Sequence, residues 1–146
     1  MLELAVMAKS TYLYRMKICA VGSKWGDLEK LPEFIETEKW VSGKPELAGY
    51  INLLELGDIL VAKSSFTGGH PRRPITRVKA IGVVRFNPKN GESVDVDWVR
   101  FAAYDLPEMG AYRDTITEVK IAKHQQIFLG CDDRIIQVMK KLLGLR

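Results

Sequence analysis

The sequence predicts one α+β domain, built on a curved, mostly antiparallel sheet or small barrel with short flanking helices and a C-terminal helix. Three observations carry this. The 146 residues are one domain's length, with an ordinary 47% hydrophobic and 27% charged content. Runs of strand-like alternation crowd the middle of the chain, between two short helical segments and a final amphipathic stripe. No repeat, low-complexity tract or linker interrupts residues 1–146, so they read as a single domain.

In order, Tyr14 to Gly22 (YRMKICAVG) has apolar residues at near-alternate positions and reads as a strand. Ser23 to Lys30 is polar, holds Gly26 and reads as a loop. Leu31 to Glu38 fits a short helix, with Pro32 early, where a missing amide costs little. Trp40 to Pro45 contains Gly43 and reads as a loop. Leu47 to Leu54 fits a second short helix that stops before Gly57-Asp58. Ile59 to Phe66 (ILVAKSSF) is a strand, and Thr67 to Pro74 (TGGHPRRP) is a loop, because its glycines and prolines do not suit a regular element. Ile75 to Phe86 is a long strand in which Gly82 marks a bulge. Asn87 to Gly91 is a hairpin turn, since Asn-Gly tolerates positive φ. Val94 to Phe101 alternates and pairs back, and Thr115 to Ile121 is another strand. Asp132 or Asp133 caps the final helix. Its stripe is Ile135, Ile136, Met139, Leu142 and Leu143, and Gly144 ends it.

The net charge of +4 is modest, but its distribution is uneven. Between Asp58 and Glu92 there is no acidic residue, while Lys63, Arg72, Arg73, Arg77, Lys79, Arg85 and Lys89 all fall there. Such a field attracts phosphates, unless counter-charges arrive from elsewhere in the fold. The two cysteines, Cys19 and Cys131, sit in apolar surroundings and read as buried thiols of a cytoplasmic protein. No apolar run approaches the ~20 residues of a membrane span, and Met1 to Tyr14 lacks a signal-peptide pattern.

Catalytic signatures are missing. His70 and His124 lack companions at metal-ligand spacing, so no metal site is expected. There is no phosphate-cradling P-loop and no nucleophile elbow. Asp95 and Asp97 share a strand face and read as a solvated rim. The expectation is a binding domain without a cofactor, not an enzyme.

The aromatic residues say more. Trp98 alternates with Asp97 and Val99 and reads as core. Trp25 and Trp40 sit in polar, glycine-containing segments, each either a lid on the core or a stacking surface. With Phe66, beside a loop carrying Arg72 and Arg73, they interleave aromatics with cations, as base stacking with backbone capture requires.

The runs CAVGSKWGD, LPEFIETEKW, LELGDILVAKSSFTGG and RVKAIGVVRFNPKNGESVDVDW together resemble the amino-terminal domain of some McrB-type proteins. These are the DNA-reading subunits of methylation-dependent restriction systems, and their domains are similar to the EVE and YTH modules of the PUA-like superfamily. The resemblance covers about Tyr14 to Ile121. It implies a pseudo-barrel and a pocket that takes a flipped, modified base between aromatic side chains. By position, Trp40 matches the aromatic after the first helix of YTH-like domains. Trp25 and the backbone of Ser23 and Lys24 match the loop that hydrogen-bonds the base. Ser64, Ser65 and Phe66 fall on the strand lining the same pocket, and Trp98 matches a structural tryptophan. The chain departs from the pattern in Thr67–Pro74, which offers no third cage tryptophan. The cage is then two-sided or completed by Phe66, and the modified base stays open.

The implied function is a specificity domain that binds duplex DNA carrying a methylated base, N6-methyladenine by analogy. Lys63, Arg72, Arg73, Arg77 and Lys79 would hold the DNA backbone. A GTP-hydrolysing motor would follow Arg146, and cleavage would fall to a nuclease subunit. The rivals are an RNA-binding PUA-like module and an interaction domain whose cage, with Asp27 beside Trp25, captures a methylated ammonium.

Overall fold

The computed structural model describes residues 17–106 and 114–120. Strand β1 (Ile18–Gly22) is apolar along nearly its whole length, as a strand covered on both faces must be. It lies inside the sheet, parallel to β5 (Ile59–Gly68) and antiparallel to β8 (Ile116–Glu118). The segment expected to be a loop after β1 folds instead into a tight hairpin, β2 (Lys24–Trp25) and β3 (Leu28–Glu29). Gly26, at φ +61°, opens its turn.

Helix α1 (Leu31–Thr37) carries Pro32 in its first turn and buries Leu31 and Phe34. It stops where Glu38 turns left-handed, at φ +54°. The next residues form strand β4 (Lys39–Val41), paired antiparallel with β7 (Ser93–Leu106). This corrects the loop expected from Trp40. The second expected helix is a single turn of tight helix, Pro45–Leu47, running into α2 (Ala48–Asn52). Strand β6 (Arg73–Phe86) pairs with β5 and β7 on either side. The sheet order is β4-β7-β6-β5-β1-β8, with only the β1–β5 pair parallel, and the sheet curls. The described chain is therefore mostly β, with only two short helices. The expected C-terminal helix and Cys131 lie outside the described residues.

Gly82 does not mark a bulge. It sits in regular register between Leu60 and Trp98, and the irregularities fall at Ala62/Lys63, Val78/Ala80 and Val84/Phe86. Glycine is needed there for close approach: a Cβ would lie 2.3 Å from Val96 Cγ1 and 2.7 Å from Trp98 Cε3.

The main core joins Val21, Phe34, Trp40, Ile51, Leu60 and Val84 with the β7 valines Val94 and Val96. Trp98 is partly buried against it and donates its indole N–H to the Lys39 carbonyl at 2.9 Å. The buried carboxylate of Asp58 accepts the Lys17 N–H at 3.1 Å and the Glu55 N–H at 2.8 Å, which ties the start of β1 to the turn before β5. Burial raises this carboxyl's pKa, and the two amide bonds oppose the rise. No helix among the described residues is long and apolar enough to cross a membrane.

Candidate functional site

Strand β1 stops at Gly22, opposite Lys63, while its parallel neighbour β5 runs on to Gly68. Beyond Lys63, β5 therefore lacks β1 on that side, and the sheet has a notch. A cavity of about 520 Å³ opens there. Its walls are the β1–β2 segment from Gly22 to Gly26, the Ser42–Lys44 loop, the Lys63–Ser65 stretch of β5 and Asp114–Thr115 just before β8. The Gly22 N–H donates to the Thr115 carbonyl at 2.8 Å and holds two of these walls together.

The first wall is densely hydrogen-bonded. The Gly22 carbonyl accepts the Trp40 indole N–H at 3.0 Å, and the Ser23 carbonyl accepts the Lys30 N–H at 2.7 Å. The Ser23 hydroxyl is 3.0 Å from Glu29 Oε1 and accepts from Lys79 Nζ at 3.0 Å, and Lys79 also pairs with Glu29 Oε2 at 3.0 Å. Ser23 has no exposed surface, so these bonds shape the wall and do not present a nucleophile.

Trp25 is the cavity's aromatic side chain, 40% exposed. The Lys30 ammonium lies 4.4 Å from its ring centroid. The ring also rests on the backbone of Gly43, where a Cβ would come within 2.9 Å of Trp25 Cε2. Gly43 has φ +69°, so both its conformation and its contact require glycine.

Lys63 is almost fully buried and donates its ammonium to the Asp114 carbonyl at 2.7 Å. That bond meets part of the cost of burying the charge and pins the far wall to β5. Lys24 and Lys44 stand exposed at the rim. Three lysines thus line the cavity against one acidic residue, Asp114, and the net positive balance favours an anion. The Ser64 hydroxyl has no intramolecular partner among the described residues and is free to meet a ligand.

Five of the seven residues expected to bind a base line this cavity: Ser23, Lys24, Trp25, Ser64 and Ser65. Trp40 does not. It has no exposed surface, and its ring belongs to the core, because β4 carries it onto the sheet opposite Val94. The cage wall assigned to it is corrected accordingly. Phe66 lies outside the lining as well; its ring stacks under the Arg77 guanidinium, 4.7 Å from centroid to carbon.

The expected backbone cations also divide. Lys63 is inside the cavity, and Lys79 is committed to its wall. Arg77 is held in a two-point pair with Asp105, at 2.7 and 3.2 Å. Arg85 pairs with Glu38 and Asp97, so much of the anion-free window is compensated from other strands. Arg72 and Arg73, at the β5–β6 turn, are exposed and form no ion pair among the described residues. Asp95 and Asp97, read as a solvated rim, pair with Lys39 and Arg85.

No family model and no curated protein matches this chain.

The cavity's chemistry is nevertheless defined. The Trp25 ring can stack a flat group that takes the place of the Lys30 ammonium, hydroxyls on β5 can meet a polar edge, and lysines at wall and rim can meet a negative charge. Among the described residues no cluster of His, Cys, Asp or Glu could hold a metal ion. Two of the walls, Ser42–Lys44 and Asp114–Thr115, were not anticipated from the sequence. Only the glycine inside KWVSGKP hinted at the first.

Proposed function

We propose that this domain binds nucleic acid by receiving an extruded base in the β1–β5 notch, and that its target is duplex DNA carrying a methylated base, N6-methyladenine foremost. The observation that carries the proposal is the convergence of Lys24, Trp25, Ser64 and Ser65, from two distant segments, on one cation-rimmed cavity whose wall the buried Ser23 shapes. The resemblance to EVE and YTH modules of McrB-type proteins supports the same reading. In that setting the domain supplies specificity, while a motor and a nuclease elsewhere cut.

Magnitudes fit a modest discriminator. Extruding a base costs a few kcal/mol, least for a weakened pair. Stacking on the one ring of Trp25 returns about 1–3 kcal/mol. With Trp40 in the core, hydrogen bonds from β5 must supply what a second ring would have given. A buried methyl adds about 0.8 kcal/mol. With easier extrusion of a modified pair, discrimination reaches roughly ten- to a hundred-fold, about 1.4–3 kcal/mol.

The test is a panel of duplexes with different methylated bases, and matched RNAs, titrated by anisotropy. A fluorescent base analogue beside the modified position should brighten on binding. Equal affinity for methylated and plain duplexes at every salt concentration overturns the reading, and tighter binding of RNA replaces it with the RNA-binding alternative.

A further inference from the structure

A second cleft adjoins the first at Lys24. Its volume is about 390 Å³, and Lys24, Glu29, Leu31, Arg77, Lys79, Arg100 and Ala103 line it. It exists because of an irregularity between β6 and β7. Val78 pairs with Tyr104 and Ala80 with Arg100, so the ladder skips positions 101–103 of β7 at Lys79. The ladder opens there, and Arg77 and Lys79, two apart on β6, share the face it exposes. Leu31, itself buried, and Ala103 give the cleft an apolar component.

Its charges do not balance. Lys79 is matched by Glu29, and Arg77 by Asp105. Lys24 and Arg100 are exposed and form no ion pair among the described residues. Two uncompensated cations therefore flank a cleft with a partly apolar lining, and one of them stands at the mouth of the first cavity. An apolar surface under a fork of N–H donors suits a sugar next to a phosphate, and a guanidinium can grip phosphate oxygens at two points.

We infer that this cleft holds the backbone of the nucleotide flanking the extruded one, with Arg100 as its phosphate ligand and Lys24 bridging the two sites. The strand's path then crosses the β2–β3 hairpin from the notch towards the β6–β7 opening. The inference rests on the notch being the base site, and the experiment separates the two.

Duplexes with a single neutral methylphosphonate, moved stepwise along the modified strand, are titrated against the wild-type domain and Arg100→Gln over a range of salt. Arg100→Lys serves as the charge-preserving control, and circular dichroism melting checks each fold. Arg100→Gln should weaken methylated and plain duplexes alike and lower the log–log salt slope by about 0.9, with the methylation preference and the base-analogue signal retained. Arg100→Lys should keep the slope. One flanking methylphosphonate should weaken the wild type several-fold and have no further effect on Arg100→Gln. If the base analogue brightens but Arg100→Gln keeps the wild-type slope, or every methylphosphonate acts alike on both proteins, the cleft inference is overturned and the base site stands. If wild-type protein binds DNA without brightening, the base site itself falls, whatever Arg100 does.

Discussion

Truncating Trp25 and Trp40 should have opposite consequences, although both are tryptophans bordering the same segment of chain. Trp40 has no exposed surface and packs among Phe34, Val84, Val94 and Val96. Replacing a buried aromatic by alanine costs about 3–5 kcal/mol. The upper end applies here, because Trp40→Ala also takes the indole donor from the Gly22 carbonyl. A domain of this size has only about 5–15 kcal/mol of stability, so the variant should be marginal. Trp40→Phe keeps most of the ring volume and loses the N–H, which should cost about 1–3 kcal/mol. Trp25, at 40% exposure, has much less burial to lose, and Trp25→Ala should cost about 1 kcal/mol or less. It should lose about 1–3 kcal/mol of binding through stacking, or roughly five- to 150-fold in affinity. Urea denaturation followed by far-UV circular dichroism gives the stabilities, and anisotropy with a methylated duplex gives the affinities. The reasoning is refuted if Trp25→Ala unfolds as readily as Trp40→Ala, or binds as tightly as the wild type.

Two further outcomes test the fold and the thiol. Gly82→Ala should destabilise the domain by about 1–3 kcal/mol, since its Cβ meets Val96 and Trp98; an unchanged denaturant midpoint would show that these neighbours can move aside. Cys19 is raised from an ordinary 9.0 to about 12, chiefly by burial and next by the carboxylates of Asp58 and Glu118. In a Cys131→Ser background it should resist a thiol reagent at about pH 8 until urea is added. Because its folded pKa lies above the unfolded one, its contribution to stability is complete below 9.0 and is lost as the pH climbs towards about 12. The alkaline fall in stability should therefore be shallower in Cys19→Ala.

What the sequence made legible was local. The alternation of β6 and β7 and the turn at Asn87–Gly91 were readable because a period of two survives wherever one sheet face is buried. The VGSKWG run was readable from its polarity and glycines only as a break after an apolar strand; its place at a site came from the resemblance. Trp40 was read as the start of a loop because β4 is only three residues long and its flanks, Lys39, Ser42 and Gly43, look like loop, and only the resemblance placed it in a cage. Its burial is imposed by Val94, more than fifty positions away, a partner that no local pattern announces. The charge window misled for the same reason. Glu29, Glu38, Asp97 and Asp105 reach Lys79, Arg85 and Arg77 across strands. Lys63 was expected to hold the DNA backbone, yet the fold buries it against the Asp114 carbonyl.

That bond from Lys63 has a consequence for the order in which the molecule assembles. β5–β6–β7 is a meander of near neighbours and can zip from its turns. The notch, by contrast, needs β1 laid parallel to β5 and then Asp114–Thr115 brought back from the far end of the described chain. Contacts so distant along the chain close late, because the entropy of long loops must be met before they form. The cavity is then the last part of the sheet to be completed and among the first to open. A ligand bridging β5 and the Asp114 wall would act as a clasp. Its clearest signature would be slower amide exchange in β1 and β8, with the β6–β7 hairpin little changed.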